Sequence, residues 1–128
     1  MTTHRGERGA AVVEFALVAT LLTVLFLGVL QVGLALYVRN TLVACASAGA
    51  RYGADADRDP GDGAVRTRLL VTRSLSRRYA SSVSSGLEYS GGAAIVVVRI
   101  RAPLPVVGLV GPAGALTVSG HALREGAR

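Results

Sequence analysis

The first third of the sequence is a short polar segment followed by a long apolar stretch. Residues 1–9 are mostly polar, whereas residues 10–38 carry one ionisable group, Glu14, and one side-chain amide, Gln31. A helix of about 20 apolar residues spans the hydrocarbon core of a bilayer, which is about 30 Å thick. The pattern therefore predicts a transmembrane helix at about residues 14–37, extended as a helix to about residue 53, and argues against an ordinary soluble globular protein.

The pattern of apolar positions changes beyond this helix. Residues 55–63 are rich in Asp and Gly and contain a Pro, which predicts a turn-rich linker. Residues 64–83 place Arg and Leu at helical spacing, which predicts an amphipathic helix. Gly and β-branched residues dominate residues 84–128, so a small β-rich head with a thin core is expected there.

Two strands and one hairpin are expected within the head. Residues 94–102 are mostly β-branched or small and predict a strand. The two glycines at positions 91–92 suit a two-residue hairpin turn that leads back to a partner strand around residues 87–89. A last strand is expected at residues 115–123, so the predicted fold class is α+β with a small antiparallel sheet.

Composition and charge narrow the classes of function. The 128 residues make at most one domain, 51% of them are hydrophobic, and the 17% that are charged fall below the roughly 25% of a typical soluble domain. The net charge of +6 comes entirely from Arg, which can indicate binding to nucleic acid. The arginines are dispersed, however, and those between residues 66 and 78 lie at helical spacing beside leucines. They are the polar face of an amphipathic helix, and no nucleic-acid partner is expected.

The junction between the polar segment and the apolar helix carries the most specific motif. It is R-G-A-A-V-V-E-F-A-L-V from residue 8, in which Gly9 is followed by four residues, Glu14 and the aromatic Phe15. This arrangement resembles the processing site of type IV prepilins, and more closely the TadE-like pseudopilins of the tight-adherence (Flp) pilus system. The resemblance covers residues 8–54 and includes A-C-A-S-A-G-A-R-Y-G-A at its end. Where that family often has a proline after the aromatic, this chain has A-T-L at residues 19–21.

The resemblance implies a pilin-like architecture and a membrane location. A membrane prepilin peptidase is expected to cut between Gly9 and Ala10, which makes residues 1–9 a cytoplasmic leader. The residue before the cut gains from having no Cβ, because its backbone can then lie extended in a narrow cleft. The protein would be a substrate of the peptidase and a structural subunit rather than an enzyme. Its partners would be other pilin or pseudopilin subunits and the pilus assembly platform, with the C-terminal domain outside the cytoplasm.

Glu14 and Phe15 are the expected recognition and assembly residues. Cleavage leaves a positive α-amine on Ala10, about 6 Å along the helix from Glu14. A neighbouring subunit shifted by that distance could pair its amine with this carboxylate. The alternative is that Glu14 only lies at the membrane interface. Farther along, Gly49 and Gly53 have the small-x-x-x-small spacing that lets helices approach closely, although an alanine-rich composition alone also explains the small residues.

Two other classes of protein stay open. One is a signal-anchored surface protein that is never cut at Gly9, and the other is a lipoprotein lipidated at Cys45, since L-V-A-C at residues 42–45 resembles a lipobox. The apolar run is longer than the 7–15 residues of a signal-peptide core, which opposes the lipoprotein. Arginines flank the span on both sides, so charge alone does not give its orientation.

No metal, cofactor or small-molecule substrate is expected. The two histidines, His4 and His121, have no ligand partners near them in the sequence. Three aspartates at positions 55, 57 and 59 have the spacing that opens a calcium loop. The required glycine and closing glutamate are missing from that run, so it is interpreted as a solvated turn.

Overall fold

The computed structural model describes residues 3–104 and 115–126. Helix α1 is Thr3–Ala54 and helix α2 is Pro60–Ser74, followed by one turn of 3₁₀ helix at Arg77–Ala80. Three strands complete the head: β1 Val83–Ser90, β2 Ala93–Pro103 and β3 Ala115–Leu123. They form an antiparallel sheet in the order β1-β2-β3. The α+β prediction, with a long apolar helix, a second helix and a small sheet, is confirmed.

Helix α1 has a bare half and a covered half. It contains 52 residues and is therefore about 78 Å long. No residue from 6 to 37 is buried, and large side chains such as Phe15 and Phe26 are 75% and 67% exposed. From Val38 onward the helix buries one face at helical spacing, which includes Leu42, Cys45, Ala46 and Ala50. Residues 15–37 are almost entirely apolar on all sides of the helix, whereas the part from Val38 onward presents a single apolar stripe to the head.

The sheet packs one face against α1 and α2. Val96, Val98 and Ile100 alternate along β2, are fully buried, and form the centre of the core. The hairpin between β1 and β2 turns at Gly91 and Gly92, whose φ angles of 59° and 81° require residues without a Cβ. Strand β3 has the bounds predicted for it, and β2 extends one residue beyond its prediction at each end.

Helix α2 differs from its prediction over residues 64–83. It begins four residues earlier because Pro60 occupies the first helical position and the Asp59 N–H donates a 2.9 Å hydrogen bond to the Asp62 carboxylate. It ends at Ser74, since the chain then turns through the 3₁₀ segment and enters β1 at Val83. The linker expected at residues 55–63 is correspondingly short, and four of its residues belong to the helix.

Candidate functional site

The junction at Gly9 lies inside α1 and is exposed. Residues 3–9 are helical and continue into the apolar part of α1 without a break. A Cβ atom built on Gly9 would meet nothing within 4 Å, and the same holds for Gly6. Packing within the chain therefore does not require glycine at either position. Each glycine weakens the helix by about 1 kcal/mol relative to alanine, which makes this segment easier to unwind than the apolar stretch after it.

Glu14 and Phe15 are exposed on the bare half of α1. Ala10 and Glu14 are four residues apart, so they lie on the same face of the helix, about 6 Å apart along its axis. The side chain of Phe15 is 75% exposed and contacts no core residue of the head. All three residues are therefore exposed near one end of the molecule, with Phe15 on a different side of the helix from Ala10 and Glu14, and are available to another protein or to lipid.

The bare half of α1 fits a membrane in length and in polarity. Helix α1 is long and apolar enough to cross a bilayer. Glu14 and Arg39, the charged residues that bound its apolar stretch, are separated by about 38 Å, which exceeds the hydrocarbon thickness of about 30 Å. Both charges can therefore reach the interfaces at the same time. The hydroxyls of Thr20 and Thr23 donate 2.7 Å hydrogen bonds to carbonyl oxygens one turn earlier, so they are satisfied inside the helix.

The predicted helix-packing residues, Gly49 and Gly53, contact α2 of the same chain. A Cβ on Gly53 would lie 3.1 Å from the Cα of Gly63, and a Cβ on Gly49 would lie 1.7 Å from the Thr67 hydroxyl oxygen. Thr67 is itself buried, and its hydroxyl donates a 2.7 Å hydrogen bond to the carbonyl oxygen of Gly63. Because α2 already covers this surface, the close helix approach that these glycines allow is a contact within the head.

Gly120, which the sequence analysis did not single out, allows the sheet to pack closely against α1. A Cβ on Gly120 in β3 would lie 2.4 Å from the backbone atoms of Ala46 and Ser47. The helix backbone therefore rests directly on the strand. The signal in the sequence is a glycine at an inward-facing position of an alternating strand, which often marks the close approach of another backbone. Its partner on α1 is known only from the fold.

The linker between α1 and α2 is fixed by the side chain of Arg58. Its guanidinium carbon lies 3.6 Å from the centroid of the Tyr52 ring, and it donates a 2.7 Å hydrogen bond to the Asp55 carboxylate. Asp55 therefore neutralises an arginine within its own linker. Within residues 3–104 and 115–126, no group of three or more His, Cys, Asp or Glu residues is placed to hold a metal ion.

Cys45 lies in the core of the head. It is 6% exposed and packs in the same cluster as Leu42 and Val71. Burial raises the pKa of its thiol, and a side-chain hydrogen bond with Ser74 lowers the pKa by a smaller amount. The thiol is therefore a packed, protonated group rather than an exposed nucleophile.

Residues 9–51 match the family model described as TadE-like protein. The matched segment is about a third of the chain and extends from the Gly9 junction almost to the end of α1. No curated protein and no solved structure shows significant similarity to the chain. The match confirms the resemblance inferred from the junction motif.

Proposed function

We propose that this chain, which carries a TadE-like region at residues 9–51, is a single-pass pseudopilin-like membrane subunit cut by a prepilin peptidase between Gly9 and Ala10. It contributes to the assembly of a tight-adherence pilus or a related secretion apparatus, as a structural part and not as an enzyme. The observation that carries the proposal is the continuous helix α1. It begins with the Gly-x4-Glu-aromatic motif, stays bare over a membrane-spanning length and ends inside a folded head.

Exposure and local weakness of the helix at Gly9 support its cleavage. A peptidase must draw the backbone around the scissile bond into an extended form, and a glycine on each side of residues 7–8 lowers the cost of unwinding. The head starts to cover α1 only at Val38, about 43 Å along the axis from Gly9. The peptidase could therefore reach the junction without any change in the head.

Assembly gives Glu14 a role that membrane insertion alone does not. In an inserted monomer the helix is long enough to leave Glu14 at the interface, where an acidic residue costs little. When the bare helices of several subunits pack together, the carboxylate becomes surrounded by apolar side chains and needs a counter-charge. The Ala10 amine of a neighbour shifted by about 6 Å would supply it and would set the register between subunits.

The lipoprotein alternative conflicts with the packing of the head. Lipidation of Cys45 would require cleavage just before it, which would separate Val38 and Leu42 from the core in which they are buried. The thiol would also have to leave that core to carry its lipid. The uncleaved signal anchor makes no such structural demand, so it is the alternative that the experiment must test.

Intact-mass measurement of the membrane-extracted chain tests the proposal. The full chain is expressed in a host with a prepilin peptidase of the tight-adherence type and in a matched host without it. We expect a new N terminus at Ala10 in the first host and an intact leader in the second. An intact leader in both hosts would favour the uncleaved anchor, and a lipidated fragment beginning at Cys45 would establish the lipoprotein.

A further inference from the structure

Two contacts between the head and α1 show at which level along the helix axis strand β3 lies. Gly120 of β3 lies against Ala46 and Ser47, and the N–H of Glu125 donates a 2.8 Å hydrogen bond to the carbonyl oxygen of Ala54. Strand β3 therefore runs in the same direction as α1, and its first residues lie toward the bare half. We call that side of the head the proximal end and the side at Ala54 the distal end.

Strand β2 and the 3₁₀ turn extend to the proximal end. Ile100 pairs with Val118, two residues before Gly120, so Arg101 lies one step farther toward the bare half. The N–H of Arg101 donates a 2.9 Å hydrogen bond to the carbonyl oxygen of Ser82, which follows the 3₁₀ turn directly. The 3₁₀ turn that carries Arg77 and Arg78 therefore lies near the proximal end of the sheet.

Helix α2 leads to the same end. Its Gly63 lies against Gly53 near the distal end and its Thr67 lies against Gly49, so α2 runs back toward the bare half. Four exposed arginines therefore lie at the level of the proximal end, where the head stops covering α1: Arg39, Arg77, Arg78 and Arg101. We call them the arginine collar.

The carboxylates of the head lie at the opposite end. Four of them belong to the linker and the first turn of α2, and the others are at the distal ends of β1 and β3: Asp55, Asp57, Asp59, Asp62, Glu88 and Glu125. Arg39 and Ala54 are about 23 Å apart along α1, nearly three times the Debye length of about 8 Å in physiological salt. The acidic end therefore does not screen the collar.

No collar arginine forms an ion pair with another residue whose side chain the structure describes. Among residues 6–104 and 115–126, the ion pairs are Arg58–Asp55 and Arg99–Glu88, and neither includes a collar residue. The guanidinium carbon of Arg78 lies 6.0 Å from the centroid of the Tyr79 ring, and this contact does not neutralise the charge of the arginine. The collar therefore presents concentrated positive charge at the level where α1 leaves the bilayer.

We propose that the arginine collar binds the phosphate groups of anionic phospholipids in the leaflet from which α1 emerges. Arg39 lies two residues after the exposed Tyr37, an aromatic at the level expected for a membrane interface. Guanidinium groups bind phosphate through two parallel hydrogen bonds, and each arginine near an anionic surface contributes about a fivefold gain in affinity. The proposal rests on the membrane-inserted state in the proposed function, but not on cleavage at Gly9.

Native mass spectrometry of the full chain in detergent tests the collar with two lipids, phosphatidylglycerol and phosphatidylcholine. The parent is expected to bind the anionic lipid about several hundredfold more tightly at low salt, from four arginines at about fivefold each, with the preference falling at high salt. Arg77→Gln/Arg78→Gln should weaken this preference about 25-fold, for two arginines at fivefold each. Arg101→Gln, a separate change on the sheet, should lose about fivefold.

The matched control is Arg51→Gln/Arg66→Gln, which removes the same charge from exposed positions beside Tyr52 at the distal end. It should retain the lipid preference within about twofold, because its charges lie beyond a Debye length from the headgroups. An equal loss in control and collar variants would overturn the proposal. So would a parent without lipid preference, which would leave an acidic protein surface as the better candidate partner.

A separate measurement distinguishes failure of the collar from failure of the proposed function. The parent is reconstituted into vesicles of phosphatidylcholine, washed at alkaline pH and floated. A chain that washes off contradicts the membrane-inserted function, and the collar proposal is overturned with it. A chain that floats but lacks the lipid preference overturns the collar alone.

Discussion

Gly49 and Gly63 face each other across the contact between α1 and α2 with no room for a Cβ atom on either. A Cβ on Gly63 would lie 2.7 Å from the carbonyl oxygen of Gly49, and a Cβ on Gly49 would lie 2.7 Å from the carbonyl oxygen of Gly63. Backbone atoms cannot move aside as a flexible side chain can. The head is therefore held to α1 by a backbone-to-backbone contact that depends on these two glycines.

Gly49→Ala should destabilise the head. The added methyl collides with the Thr67 hydroxyl and the Gly63 carbonyl, and overpacking of this kind costs about 1–3 kcal/mol or more. That cost exceeds the helix-propensity gain of about 1 kcal/mol. The control is Gly61→Ala in α2, where a Cβ meets nothing within 4 Å, so its stability should be unchanged or slightly higher. Thermal unfolding of both variants in the same detergent, followed by circular dichroism, checks this, and equal melting temperatures would contradict it.

The sequence patterns that predicted the fold correctly were those set by local chemistry. The two adjacent glycines of the hairpin permit the positive φ angles at positions 91–92, and the β-branched run fixes strand β2. The predicted bounds of α2 differ from the structure at both ends, and the reasons are also local. The D-P-G-D sequence at residues 59–62 predicts a turn but starts the helix, and S-L-S at residues 74–76 ends the helix although the Arg and Leu spacing continues.

Whether a site residue could be predicted also depends on whether its partners are its neighbours in the sequence. The Gly9 to Phe15 motif is contiguous, so the sequence alone could reveal it. The arginine collar could not be predicted, because Arg39, Arg77 and Arg101 are brought to one level only by the directions of α2, β2 and β3. The same limit applies to Gly49, because its small-x-x-x-small spacing predicts a close helix approach without identifying the partner, which is α2.

The buried thiol of Cys45 should react slowly in the folded chain. Its raised pKa lowers the thiolate fraction, and its packing keeps reagents away, so alkylation at mildly alkaline pH should be at least about tenfold slower than in denaturant. An exposed thiol introduced by Ser81→Cys in a Cys45→Ala background provides the control and should react at similar rates in both conditions. Rapid alkylation of folded Cys45 would show that the thiol is accessible.

The same thiol should make the head less stable at alkaline pH. Its pKa in the folded state is raised above the ordinary value of 9.0, so the unfolded chain releases the proton first. The stabilising contribution is complete below about pH 9 and is lost as pH rises through the folded-state pKa. Cys45→Ala should remove this part of the decline. Identical pH dependence of unfolding in parent and Cys45→Ala would show that the thiol does not contribute.

Gly9→Val should block removal of the leader without disturbing the fold. A Cβ at position 9 meets nothing within 4 Å in the chain, so any effect must arise in the peptidase, whose cleft is expected to admit a residue without a Cβ. Gly6→Val is the matched control, because Gly6 is equally exposed in the same helix but lies three residues before the cut. The intact mass should show an attached leader only in Gly9→Val. Normal maturation of that variant would contradict cleavage at this position.

Glu14→Leu should yield a processed, inserted protein that fails to assemble. The cleavage site is unchanged, and a leucine near the interface favours insertion. In the assembled state the Ala10 amine of a neighbour would lose its counter-charge in an apolar environment, and breaking such a buried pair typically costs about 3–5 kcal/mol. Glu14→Asp keeps the charge but has a shorter reach, so its assembly should be intermediate.

Cross-linking to pilin or pseudopilin partners, normalised to the amount of mature protein, measures this assembly. The matched control is Glu7→Gln, which also removes one carboxylate from the exposed N-terminal part of α1 but lies in the segment that cleavage discards. Its cross-linking should equal that of the parent, whereas the parent, Asp and Leu forms of position 14 should decrease in that order. Equal yields from all four proteins would mean that Glu14 lies at the membrane interface without a partner, and the register between subunits would have to be set by the apolar side chains of the bare half of α1.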